Sequence, residues 1–229
     1  MYFLLSGEGP TDIGSGDAPG PMAVIVDQIV EGKDGYSILD SECVGFVPKR
    51  MLVARVKELK PPQKSPRIPG KKKARETLYF FRNARAFADI AKEKQAAIAD
   101  VVVAVLFRDT DCAASDGRGL WKDKNDSMII GFEEEEFQRG VPMIPKPISE
   151  AWLICALKET PYHGCARLEG RPSRPHSHDP LKRQLAQILR GEVSADRLCE
   201  KVRDKTVDID RIDMPSFKAF RQRLEEVIG

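Results

Sequence analysis

The sequence predicts an α/β fold, a mostly parallel sheet flanked by helices and followed by a helical C-terminal extension. Three observations carry that prediction. Val101 to Phe107 reads Val-Val-Val-Ala-Val-Leu-Phe, apolar and β-branched without alternation, as expected of a strand covered on both faces. Apolar runs of strand length alternate with segments of helical period, the order that builds parallel sheets. Acidic residues gather after three of the apolar runs, where open α/β sheets bind their ligands.

The elements follow in order. Residues 2–6 form a short apolar run ended by Gly7, Gly9 and Pro10, a buried strand and a turn. Residues 14–21 read as a loop by composition. Met22 to Glu31 is a helix opened by Pro21, since proline suits a first helical position, and it closes around Gly32 and Gly35. A strand is expected within Tyr36 to Val47. Pro48 to Leu59 has a weak helical pattern, and Lys60 to Gly70, with four prolines, is a loop. Leu78, Phe81, Phe87, Ala88 and Ala91 recur near helical spacing, which predicts a long helix from Lys71 to about Ala99. After the strand Val101–Phe107 come a helix at about Ser127–Arg139, a strand at Val141–Ile144 and a helix at Ile148–Leu157. Residues 160–180 are rich in Pro, Gly, Arg and His and read as a loop. Pro180–Leu189, Ala195–Lys205 and Ser216–Ile228 look helical. The expected division is an α/β domain over 1–160 and a helical extension over 161–229, packed on the same domain.

Composition sets limits on function. The 229 residues suffice for a sizeable core. Lys plus Arg number 37 and Asp plus Glu 35, so net charge gives no argument for nucleic acid, and only its distribution can. The cysteines, Cys43, Cys112, Cys155, Cys165 and Cys199, are odd in number with no C-x-x-C pair. That argues against a zinc ribbon or a disulfide framework and for free thiols in a reducing cytoplasm. Met1 to Leu5 lacks a basic leader and reads as a core strand, not a signal peptide. No stretch is long and apolar enough to span a bilayer.

The chemistry concentrates in the acids. Glu8 and Asp12 follow the first strand, Asp109 and Asp111 the central strand, and Glu150 the strand Val141–Ile144. Asp109 and Asp111 are two apart and share a face in extended chain. Carboxylates so close repel unless a cation or a proton lies between them. Hard cations such as Mg²⁺ take oxygen ligands. The alternative is that such acids cap the next helix, which is a closer contest for Asp12, Glu150 and Asp126 than for Glu8, Asp109 and Asp111. Glu8 and Asp12 can join Asp109 only if their strands are neighbours, as the fold predicts.

These residues also carry a family resemblance. Leu4-Leu5-Ser6-Gly7-Glu8-Gly9-Pro10-Thr11-Asp12 resembles the opening Glu-Gly-x-Thr-Asp of TOPRIM-type proteins, and Val103 to Asp111 resembles their strand ending in Asp-x-Asp. Pro147-Ile148-Ser149-Glu150-Ala151-Trp152-Leu153 is similar to the Glu-Ala-Trp-Leu stretch of the DUF4276 proteins, a TOPRIM-like group. Asp179 to Arg183 and Met214 to Phe220 are similar to their tail, so the resemblance spans nearly the whole chain. It implies a TOPRIM-like fold binding Mg²⁺ or Mn²⁺ through Glu8, Asp12, Asp109 and Asp111. Glu8, Asp109, Asp111 and Glu150 would be the catalytic acids. In the related overcoming-lysogenization-defect nucleases a Glu-x-x-x-Asp motif supplies metal ligands, at the spacing of Glu8 and Asp12. Those nucleases also use a Ser/Glu motif, matched by Ser149 and Glu150, and a lysine, for which Lys146, Lys158 and Lys182 are candidates. Any ATPase would be a separate partner protein.

Other features have quieter readings. Lys71, Lys72, Lys73 and Arg75 could grip a phosphate backbone, although a solvated helix start is the commoner meaning. Arg167, Arg171, Arg174, His176 and His178, with Lys182 and Arg183, could flank a groove. Glu133 to Glu136 reads as a solvated face, or as a contributor to the metal site through Glu133 or Glu136. Trp152 reads as core, and Cys112 as a small buried residue. The expected function is a metal-dependent nuclease, with DNA the favoured substrate and a role in defence against phage or mobile elements. The alternative is a non-catalytic TOPRIM-like subunit, sensor or toxin component that binds a partner protein such as an ATPase. Self-association is left open.

Overall fold

The computed structural model describes residues 1–9, 11–16, 18–59, 75–110, 120–171, 181–191 and 193–229. Four parallel strands form its sheet: β1 (Tyr2–Ser6), β4 (Val44–Val47), β5 (Val102–Phe107) and β6 (Gly140–Met143), in the spatial order β4-β1-β5-β6. Every pairing is parallel. Crossover helices join them: α1 (Pro21–Asp34) between β1 and β4, α2 (Lys49–Glu58) and α3 (Arg75–Ile98) between β4 and β5, and α4 (Trp121–Glu134) between β5 and β6. A two-stranded ribbon, β2 (Gly14–Ser15) with β3 (Ala18–Pro19), lies between β1 and α1. The chain ends in α5 (Glu150–Leu157), a 3-10 turn at Cys165–Gly170, α6 (Leu181–Leu189), α7 (Ala195–Arg203), a second 3-10 turn at Ile209–Arg211 and α8 (Pro215–Ile228). This mostly parallel sheet flanked by helices is Rossmann-like in its layering.

The unalternating β5 sequence is explained by burial on both faces. Val103, Val105 and Phe107 join Phe3, Leu5, Val141 and Met143 in a cluster with α1, α5 and the C-terminal helices. Val102, Ala104 and Leu106 join Leu4 in a second cluster with α2, α3 and α4. Successive strand side chains point to opposite faces, so each strand supplies both layers. The C-terminal helices share the first cluster with β1, through Leu181, Leu185, Leu198, Val202, Phe217, Phe220 and Leu224.

Trp152 is the largest side chain with no exposure. It stacks on Phe220 at 5.9 Å and meets Phe217 edge-on at 5.0 Å. Its indole N–H donates to Ser216 Oγ at 2.9 Å, and Ser216 N–H donates to buried Glu169 Oε1 at 2.7 Å. Ser216→Ala leaves the indole N–H buried without that acceptor, so urea unfolding should show a loss of about 1–3 kcal/mol.

Several expectations are corrected in detail. Cys155 and Cys165 are joined by a disulfide, with Cα atoms 5.2 Å apart, so the free-thiol reading holds only for Cys43 and Cys199 among the described residues. The ten-residue separation matched no motif, and only the 3-10 turn folding back onto α5 brings the two together. The helix expected at Ser127–Arg139 is α4 at Trp121–Glu134; Phe137 N–H and Glu135 N–H both donate to the Phe132 carbonyl as the chain unwinds. The loop 14–21 contains the β2–β3 ribbon, and residues 36–47 are strand only from Val44. Among the described residues, no helix is long and apolar enough to cross a membrane.

Candidate metal centre

Parallel pairing brings the carboxyl ends of all four strands to one edge. Ser6 is in register with both Val47 and Leu106, and Phe107 with Met143. Glu8, two residues past β1, and Asp109, two past β5, are therefore on adjacent strands, as the sequence required of them.

Local structure fixes each acid. Asp12 lies in the turn between β1 and the ribbon, and its carbonyl accepts the Met22 N–H at 2.9 Å. Gly20 makes that approach feasible, because a Cβ there would stand 2.4 Å from the Asp12 carbonyl oxygen. The residue that caps α1 is Gly20, with no side-chain cap, so the capping alternative fails for Asp12. Asp126 instead pairs with Lys122 at 3.0 Å. Thr110 N–H donates to the Pro145 and Pro147 carbonyls at 3.2 and 3.1 Å, and its hydroxyl donates to Pro145 at 2.6 Å. These bonds tie the Asp109–Thr110 turn to the segment carrying the cis Lys146–Pro147 bond. Lys124, fully buried on α4, donates to the Thr110 carbonyl at 2.5 Å.

Ser149 gathers the acids. Its backbone N–H donates to Asp109 Oδ1 at 3.0 Å, and its hydroxyl lies 3.5 Å from Asp12 Oδ1 and 3.4 Å from Glu150 Oε2. Glu150 opens α5 and meets Lys182 of α6 at 3.6 Å. Of the three candidate lysines only Lys182 reaches this cluster. Lys146 lies 4.0 Å from Glu169, and Lys158 donates to the His163 carbonyl.

The electrostatics follow from crowding. Burial, then the Glu150, Asp12 and Glu8 charges, hold the Asp109 carboxyl well above the usual carboxylate range, against the opposing Ser149 N–H. Burial and then Glu150 push Asp12 up to about 6, with Glu8 adding and Lys182 opposing. Lys182 is raised chiefly by Glu150, with Asp109 and Asp12 contributing. Glu8 Oε1 is buried with no hydrogen-bond partner. A carboxylate oxygen so placed carries a desolvation cost that a cation would relieve.

Four of the five acids singled out by sequence are thus electrically coupled. The fifth, Asp111, lies outside the described residues, as do Cys112, Lys71 to Lys73, Arg174, His176 and His178. Among the described residues, no three His, Cys, Asp or Glu side chains are grouped tightly enough to hold an ion. Glu133 and Glu136 do not approach the cluster: Glu133 lies in the last turn of α4 and Glu136 just beyond it, at the opposite edge of the sheet, where neighbouring Glu135 pairs with Arg85 at 2.5 Å. Sequence reading missed Arg108, which is fully buried on β5's carboxyl end and donates to the Phe107 carbonyl at 2.6 Å and to Asn83 Oδ1 at 3.1 Å. Its signal was a charged residue continuing an otherwise apolar strand.

No protein-family model, curated protein or solved structure matches the chain.

Proposed function

We propose that the chain is a divalent-cation-dependent phosphodiesterase acting on nucleic acid, with DNA the favoured substrate, on a TOPRIM-like fold. The observation that carries this reading is the buried, unpartnered Glu8 oxygen beside the mutually repelling Asp109 and Asp12. An all-carboxylate donor set of this kind suits Mg²⁺ or Mn²⁺. Asp109 and the unpartnered Glu8 would hold the cation, and the resemblance adds Asp12 and Asp111 to the donor set. When bound, one or two such ions supply a water of lowered pKa and stabilise the leaving oxygen of an in-line displacement.

The chain's own residues have separate tasks. Ser149 N–H holds Asp109 in one orientation. Glu150, a hydrogen-bond distance from the Ser149 hydroxyl, is placed to accept a proton from an attacking water. Lys182, fastened to Glu150, brings a positive charge toward a phosphate oxygen. The resemblance to TOPRIM-like nucleases suggests work in the cytoplasm, in defence against phage or mobile elements, beside a separate ATPase.

A second reading has one observation in its favour. Lys182 already offsets Glu150, and Ser149 already bridges three acids, so the cluster has internal partners without an ion. A non-catalytic subunit that binds a partner protein fits that state. The test is incubation of the purified chain with plasmid, single-stranded DNA and RNA in Mg²⁺ or Mn²⁺, beside Asp109→Ala. The proposal expects cleavage by the parent chain alone. Cleavage that survives the substitution contradicts the site, and no cleavage of any substrate favours the second reading.

A further inference from the structure

We propose that the outward face of α2 is a docking surface for the phosphate backbone of a nucleic acid, placed to lead it into the acidic cluster. This rests on the phosphodiesterase reading for what happens to the bound strand, and on α2 alone for where it binds.

Placement comes first. Ser6 pairs with Val47 on one side and Leu106 on the other, so the carboxyl ends of β4, β1 and β5 lie side by side. Lys49 follows β4 by two residues, as Glu8 follows β1. Neighbouring strands are about 4.8 Å apart. The start of α2 is therefore about 5 Å to the side of the Glu8 strand and about 10 Å from the Asp109 strand.

Charge comes second. Leu52 is the one fully buried residue of α2. Lys49, Arg50, Val53 and Lys57 are exposed, and at helical spacing they share one side. Arg55 is different: it is bound by Glu58, Asp89 and Glu93. Among the described residues Lys49, Arg50 and Lys57 have no carboxylate in an ion pair with them. The sequence from 49 to 75 holds eleven Lys or Arg and one acid, Glu58, in a chain whose formal net charge is +2. The basic charge is therefore clustered along the sequence, and α2 carries its described part. Residues 60–74 lie outside the described residues, and the docking face assigned here is that of α2 alone.

Complementarity chooses the occupant. A phosphodiester approaching Glu8, Asp12, Asp109 and Glu150 meets repulsion, and a neighbouring unpaired basic face offsets it and steers the approach. Anionic lipid is the weaker match, since an interfacial helix presents a broad apolar face. The large apolar residues exposed on α2 are Met51 and Val53, at 48% and 45%.

The test is fluorescence anisotropy of labelled single-stranded and duplex oligonucleotides in EDTA, where binding is read without cleavage, across a salt series. The full chain is compared with Lys49→Ser/Arg50→Ser/Lys57→Ser, whose fold is checked by its melting temperature. The triple variant should bind at least about tenfold more weakly, with the log–log salt slope shallower by about 2 to 3. Unchanged affinity and slope in the triple variant would overturn the docking surface, as would binding of anionic vesicles but not of oligonucleotides by the parent chain. If the parent chain cleaves nothing while the triple variant still loses binding, the phosphodiesterase reading fails and the docking surface stands.

Discussion

Asp109→Asn is expected to lose at least about a hundredfold in Mn²⁺-dependent cleavage, a scale set by the loss of a ligand that fixes a metal. The same substitution should stabilise the metal-free protein at neutral pH. Asn keeps the shape and can still accept the Ser149 N–H. It removes a charge that burial and three neighbouring carboxylates oppose. A gain of about 1–2 kcal/mol would raise the melting temperature of a chain this size by roughly 2–8 °C. The combination is diagnostic. A residue needed only for packing would lose stability and activity together, whereas a metal ligand held against repulsion should lose activity and gain stability. Thermal melts in EDTA beside cleavage assays in Mn²⁺ check both halves.

The second large effect is an inversion of the pH dependence by metal. Asp12 is pushed up to about 6 and Asp109 well above its usual range, while both would titrate near 3.9 in the unfolded chain. Between those values the folded state binds more protons than the unfolded one, so stability falls as pH rises through that window. Metal-free protein should therefore melt higher at pH 5 than at pH 7.5. Below about pH 4 the gain stops, because the unfolded carboxyls are protonated as well. Glu93, Asp100 and Asp204, which are lowered by hydrogen bonds to Arg55, the N-terminus and Thr206, then work in the opposite sense. A divalent cation binds the carboxylate form, so saturating Mn²⁺ should raise the melting temperature most above pH 6 and little at pH 5. Scanning fluorimetry from pH 4.5 to 8.5, with Mn²⁺ and with EDTA, reads both slopes. A metal-free melting temperature that rises steadily with pH through 5 to 7.5 would contradict the assigned crowding.

Much of this was legible in the sequence because β5 announces itself. A run of β-branched residues with no polar alternation has few other homes than a doubly covered parallel strand, and the acids after it inherit their position from that strand. Glu8 and Asp12 needed one further inference, that β1 lies beside β5, and the pairing of Tyr2–Ser6 with Val102–Leu106 supplies it. What the sequence did not disclose depends on tertiary approach. The backbone N–H of Ser149 has no residue signature, so its bond to Asp109 was invisible. Lys182 could not be told from Lys146 and Lys158 until α6 was seen to pack beside α5. The Cys155–Cys165 disulfide fell on no motif, and a count of cysteines pointed away from it. Arg108 and Lys124 are buried cations beside a site whose acids drew the attention. The start of α4 was missed by six residues because Trp121 anchors it tertiarily, donating its indole N–H to the Ile144 carbonyl at 2.7 Å.

The central claim is that Glu8 and Asp109 converge on a cation at the carboxyl edge of the sheet. Anomalous scattering from a crystal soaked in Mn²⁺ tests it most directly. The account predicts an Mn²⁺ peak with an oxygen of Asp109 and one of Glu8 within about 2.0–2.4 Å. A fully occupied Mn²⁺ elsewhere on the chain, with none between these two carboxylates, would contradict it.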